Sequence, residues 1–163
     1  MIGENMRLIL AGTMVLAPSG VLAQTATGDF DVRITIAAEC QIVSTPDLDF
    51  GSAGVLTDNV DATTTLQVAC TASTPYDIGL NEGVGPEATI TMRQMTSGDD
   101  TVNYQLFRDA GHTTNWGNTV GTDTQSGTGT GATQSYTVYG RVPPQTTPAP
   151  GVYSDTVTVT LTY

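Results

Sequence analysis

The side chains in this sequence that could do chemistry are few and scattered. There is one histidine, His112, and there are two cysteines, Cys40 and Cys70. His112 stands beside Gly111 and two threonines, like a loop residue, and Asp109 lies three positions before it. No motif surrounds any serine, so a Ser-His-Asp hydrolase has no support. Asp99-Asp100 and Asp58-Asn59-Val60-Asp61 lack calcium-loop spacing and read as solvated turns. Two distant cysteines and one histidine do not supply the four ligands of a zinc site. The glycines between 117 and 131 alternate with Thr and Ser and do not make a phosphate-binding loop after a strand. Trp116 could stack on a sugar, but core packing or loop anchoring is the commoner use of such a ring. The sequence therefore predicts no catalytic residue, no metal site and no cofactor.

Charge narrows the partners. The chain has 163 residues, 16 acidic and five basic, for a formal net charge of −11. All five basic residues are arginine. A basic nucleic-acid footprint is absent, and an anionic membrane surface would repel the protein. Residues 1–23 read as a secretory signal peptide. Arg7 supplies the positive region, Leu8 to Leu16 the apolar region, and Val21-Leu22-Ala23 the small-residue cleavage site before Gln24. The apolar run is shorter than the roughly 20 residues that span a bilayer. In an exported chain, two cysteines imply a Cys40–Cys70 disulfide rather than free thiols. Closing that loop would stabilise the fold by about 3–4 kcal/mol in the chain-entropy picture.

The elements that would carry these residues are strands. Thr, Val, Gly and Ser abound, and no stretch sustains a 3.6-residue apolar period. Period-two alternation recurs instead. It runs through Phe30, Val32, Ile34 and Ile36, then Leu66, Val68 and Cys70, then Tyr76, Ile78 and Leu80. It continues in Val102, Tyr104 and Leu106, and in Tyr136, Val138 and Val142 around Gly140. It ends with Tyr153, Val157, Val159, Leu161 and Tyr163, which Asp155 interrupts near the start. Tyr104 and Tyr136 are expected in the core. Turns are expected at Pro46-Asp47, Asn81-Glu82-Gly83, Ser97-Gly98-Asp99 and Ala110-Gly111. Residues 117–133 read as a long mobile loop, and 143–150 as a second irregular connection. Gly140 suggests a bulge or a close approach, and Arg141 suggests a carboxylate partner that the sequence does not name. About seven short alternating strands separated by turn residues describe an all-β antiparallel sandwich or barrel.

The first alternating segment has two readings. It could complete its own sheet, or it could add to the sheet of another molecule. Periodicity alone favours the plainer one, an ordinary first strand. Burying Phe30, Val32, Ile34 and Ile36 would contribute roughly 6–12 kcal/mol as an upper bound. That is comparable with a whole domain's stability of about 5–15 kcal/mol.

A set of short pieces shifts the balance. They are the strand from Phe30 into Cys40, Leu48-Asp49-Phe50-Gly51, Val68-Ala69-Cys70-Thr71 before Pro75-Tyr76, and Asn103-Tyr104-Gln105-Leu106-Phe107-Arg108-Asp109 before Trp116-Gly117. Val138-Tyr139-Gly140-Arg141-Val142-Pro143 and the run from Gly151 to Val159 complete them. In order and spacing the chain resembles the spore coat U domain family, whose members include subunits of archaic chaperone–usher pili. The resemblance covers about Asp29 to Tyr163. One departure is Pro144 before Gln145, where the family often has glycine.

The resemblance implies an incomplete immunoglobulin-like antiparallel β-sandwich with an N-terminal donor strand. It divides the chain into a signal peptide (1–23), an N-terminal extension carrying the donor strand (24–38) and a pilin domain (39–163). The donor face would be Phe30, Val32, Ile34 and Ile36. The strand from Thr156 to Tyr163, with Val157, Val159, Leu161 and Tyr163, would line the groove and pair with a periplasmic chaperone. The implied partners are that chaperone, an outer-membrane usher and neighbouring pilin subunits, in a pilus at the cell surface that supports adhesion and biofilm formation. The alternatives are a self-contained secreted binding module and a spore or envelope coat protein. The size of the chain and its donor-like segment favour a shaft or minor subunit over a tip adhesin.

Overall fold

The structure, a computed structural model, describes residue 20 and residues 23–163. The expected signal peptide lies outside the described residues except for Gly20 and Ala23. Among the described residues there are eight strands and no helix. They are β1 (Cys40–Ser44), β2 (Val60–Cys70), β3 (Pro75–Leu80), β4 (Arg93–Ser97), β5 (Asp100–Phe107), β6 (Gln125–Thr128), β7 (Thr133–Val142) and β8 (Val159–Thr162). Every paired ladder is antiparallel. One sheet has the order β1-β2-β7-β5-β4 and the other β6-β3-β8. This is the all-β, immunoglobulin-like sandwich that the sequence predicts. The chain divides between Thr35 and Ile36, and the sandwich is the unit Ile36–Tyr163.

Alternation explains the core. Leu66, Val68, Tyr76, Ile78, Leu80, Val102, Tyr104, Leu106, Val138 and Val142 are buried. Successive strand side chains point to opposite faces, so one apolar set enters the space between the sheets. Trp116 is fully buried, and its Nε1–H donates to the Ile78 carbonyl at 2.8 Å. Tyr136 is half-buried, and its hydroxyl lies 2.6 Å from that of Tyr76. Burial, then the hydroxyl of Tyr136, pushes the Tyr76 phenol up. Cys40 and Cys70 stand opposite each other across β1 and β2 and are disulfide-bonded.

Two expectations are corrected. The loop expected over 117–133 contains β6, which pairs with β3. An edge strand with a solvated face needs no apolar alternation, and β6 is held by backbone bonds and by hydroxyls. Thr124 Oγ1 and Ser126 Oγ donate to Asp77 Oδ1 at 2.7 and 2.8 Å. The turn expected at 58–61 is in part strand, since β2 begins at Val60 and pairs with Val142 there. Asp61 accepts both bonds of a two-pronged pair from Arg141, each 2.7 Å, which supplies the unnamed carboxylate. That pairing is the main cause holding the Asp61 carboxyl below its ordinary value.

β4 carries no apolar signature in the sequence, because its buried residue is Arg93. The Arg93 guanidinium donates to the carbonyls of Asn81, Ile90, Leu80 and Trp116 at 2.7–3.0 Å. Burial lowers its pKa, but the ring of carbonyls satisfies a charge that would otherwise be costly to bury. His112 lies outside the strands as expected, and its ring packs edge-on against Phe107 and Tyr139. Asp109 is occupied by the backbone N–H groups of Thr113 and Thr114.

Candidate functional site

The sandwich is open along one side. β8 ends the three-stranded sheet: one edge pairs with β3, and the other has no ladder partner among the described residues. Beside it runs a groove of about 910 Å³. Leu66, Leu80, Tyr104, Leu106 and Val138 of the core contribute to its floor. Leu48 and Phe50 line one flank, and Tyr153, Val157 and Val159 the other. Core side chains thus reach a surface that no strand covers among the described residues. An unpaired edge beside apolar surface is a template for another strand.

Local sequence builds both flanks. On the first, Leu48 and Phe50 are half-buried while Asp47 and Asp49 are exposed, so this short extended segment also alternates. It settles onto β7 at Gly140, where a Cβ would stand 2.9 Å from Leu48 and Phe50 carbons. Gly140 therefore serves close approach without a bulge, and β7 keeps its register with β2 there. On the second flank, Tyr153, Val157, Val159 and Leu161 are half-buried and alternate with exposed Thr156, Thr158, Thr160 and Thr162. This segment starts against β4, through a two-bond bridge between Thr96 and Ser154. It ends against β3, where Thr158 also exchanges bonds with Asn81.

The residue that breaks the apolar series, Asp155, has a clear role. Its side chain lines the groove and accepts from the Tyr104 hydroxyl at 2.7 Å. It also accepts from the backbone N–H groups of Val84 and Thr156, each 2.8 Å. Burial, then the adjoining carboxylate, drives the Tyr104 phenol well above its ordinary value. Asp155 thus ties the second flank to the floor. Sequence reasoning marked the interruption but not this function.

Of the residues expected to line the groove, Val157 and Val159 do so. Leu161 packs against the core and is not among the groove-lining residues. Tyr163 is 60% exposed beyond the end of β8. The regular strand is Val159–Thr162, shorter than the expected Thr156 to Tyr163. The expected donor face is placed differently from the core strands. Phe30, Val32, Ile34 and Ile36 are 86, 84, 85 and 71% exposed, in a segment with no ladder. Among the described residues, no three His, Cys, Asp or Glu side chains come together in a metal-binding group.

The chain is similar to known proteins. The chain is 31% identical over 170 aligned positions to Protein U of Myxococcus xanthus, covering 95% of this chain and 94% of that one. It is also similar, at 27% identity and a TM-score of 0.58, to a chain in the crystal structure of the CsuC–CsuE chaperone–tip adhesion subunit pre-assembly complex from archaic chaperone–usher Csu pili of Acinetobacter baumannii. That likeness covers 79% of this chain but 40% of the solved one, so this chain spans about two fifths of its length. The Spore Coat Protein U domain matches residues 26–160, a span that holds both the exposed segment and the open-sided sandwich; the chain belongs to that family.

Proposed function

We propose that this protein is a structural subunit of a surface fibre, joined to its neighbours by strand exchange. Residues 29–37 of one copy fill the groove of the next. The observation that carries this reading is the pairing of two unmet needs in one chain. Four apolar side chains on one face of an extended segment lie in solvent, and a groove floored by core residues has an open strand edge beside it. Each need is met by the other, through main-chain bonds and alternate apolar side chains. The contact joins two different surfaces, so repetition gives an open filament.

Before assembly, a periplasmic chaperone fills the groove with its own strand, and an outer-membrane usher directs the replacement. The similarity to a chain of a chaperone–subunit complex supports the chaperone stage. The fibre then stands at the cell surface, where it serves adhesion and biofilm formation. The test is deletion of residues 24–37 from the exported protein, followed by electron microscopy of the cells. Loss of fibres with retention of a chaperone-bound subunit is expected; normal fibres would reject the reading.

The similarity to Protein U along nearly its whole length favours a second reading, a component of a spore or envelope coat. Fractionation distinguishes the two, because a coat component stays with the envelope or spore after fibres are sheared away.

A further inference from the structure

The polar face of the exposed segment carries a second signal. Phe30, Val32, Ile34 and Ile36 occupy one face of an extended chain, so Asp31, Arg33 and Thr35 occupy the other. Among the described residues, Arg33 is the one exposed arginine, with 84% of its side chain open to solvent. Arg93 is buried, Arg108 donates to the Thr124 carbonyl, and Arg141 is paired with Asp61. In a chain of net charge −11 without lysine, that makes Arg33 the site of local attraction between two copies that otherwise repel.

The groove rim offers its counterpart. With the apolar face of a strand in the groove, the other face looks outward between the two flanks. On the flank formed by β8 and the residues before it, the exposed side chains are Thr156, Thr158 and Thr160, and the one carboxylate there, Asp155, lines the groove and already accepts from Tyr104, Val84 and Thr156. On the flank of Leu48 and Phe50 they are Asp47 and Asp49. Asp49 Oδ1 already accepts from the Gly51 N–H at 2.7 Å, whereas Asp47 makes no side-chain hydrogen bond among the described residues. We propose that Arg33 of one copy sits over Asp47 and Asp49 at the groove rim of the next copy and selects the register in which the strand docks. This rests on the strand-exchange reading above.

Register is where the pair matters. A strand that must keep its apolar face inward can slip only by two residues. One such slip sets Asp31 against Asp47 and Asp49, a like-charge contact; the other sets neutral Thr35 there. Only the central register places a cation over the two carboxylates. In the undocked chain Arg33 Nη2 holds Asp31 Oδ2 at 2.6 Å, so docking exchanges one carboxylate for others.

The experiment uses sheared fibres of full-length variants, depolymerised in urea at low and high NaCl, with released monomer measured over time. Arg33→Asp and Asp47→Arg are each expected to speed release about 2- to 5-fold at low salt, the range of an exposed ion pair. The difference should vanish near 1 M NaCl, where screening acts over about 3 Å. The double variant, with the charges exchanged, should return to the wild-type rate at low salt. Unchanged release in both single variants, or a double variant no better than the singles, overturns the proposal. Normal fibres from the protein lacking residues 24–37 would instead overturn strand exchange itself, so the two failures are distinguishable.

Discussion

The two most regular alternating segments of the sequence, 30–36 and 153–163, meet opposite fates. The second forms a flank of the groove, bonds to β3 and β4, and half-buries Tyr153, Val157, Val159 and Leu161. The first leaves Phe30, Val32, Ile34 and Ile36 in solvent with no ladder. Alternation encodes a face to bury, and it is silent on whose sheet provides the cover. A strand that packs in its own sandwich and a segment that stays in solvent carry the same signature.

The sharpest way to break this comparison is a charge on each segment. Val159→Asp places a carboxylate on a flank that the subunit itself builds, and it should cost several kcal/mol and lower the yield of chaperone-bound subunit. Ile34→Asp should cost as much, but only at the joint between copies, so fibres disappear while the chaperone complex forms at the wild-type level. Fractionation and electron microscopy of both variants decide it. If Ile34→Asp lowers the complex as much as Val159→Asp, the first segment belongs to its own sandwich.

A smaller effect is expected where the exposed segment joins the sandwich. The Cys40–Cys70 disulfide closes β1 onto β2 just after residue 36. Replacing both cysteines with serine should remove roughly 3–4 kcal/mol from the subunit, read by urea unfolding of the chaperone-released protein. The loss belongs to the sandwich alone, so surviving fibres should keep the same joint.

The smallest is Gly140→Ala. A methyl group 2.9 Å from the ends of the Leu48 and Phe50 side chains must push those side chains aside, at a cost of about 1–3 kcal/mol. Because the displaced side chains line the groove, strand acceptance should weaken more than the subunit's own stability. Equal losses in fibre dissociation and subunit unfolding would mean that the Leu48–Phe50 flank does not contact the inserted strand.

Much of the fold was legible. Apart from Gly79 and Phe107, the buried residues of β2, β3, β5 and β7 are those that period two selects, because a pleated strand has only two faces. The cysteines paired as export implies. What escaped has a common cause. β4 turns an arginine inward, β6 lies at an edge with polar side chains, and Asp155 buries a carboxylate among hydrogen bonds. In β4 and β6 polar bonding replaces apolar burial, so no hydrophobic period marks the element, and at Asp155 it interrupts one. The partners of Arg93 are four backbone carbonyls from three parts of the chain, and carbonyls look alike in any sequence.

By itself, then, the sequence determined which faces are apolar, where the chain turns, which thiols can pair and how acidic the surface is. Those properties belong to single residues and their near neighbours. The tertiary structure decided which strand edges find partners and which stay open, and therefore where the groove lies. Backbone donors and acceptors are the same at nearly every position, so only the assembled sheets reveal the edge of β8 that has no partner among the described residues.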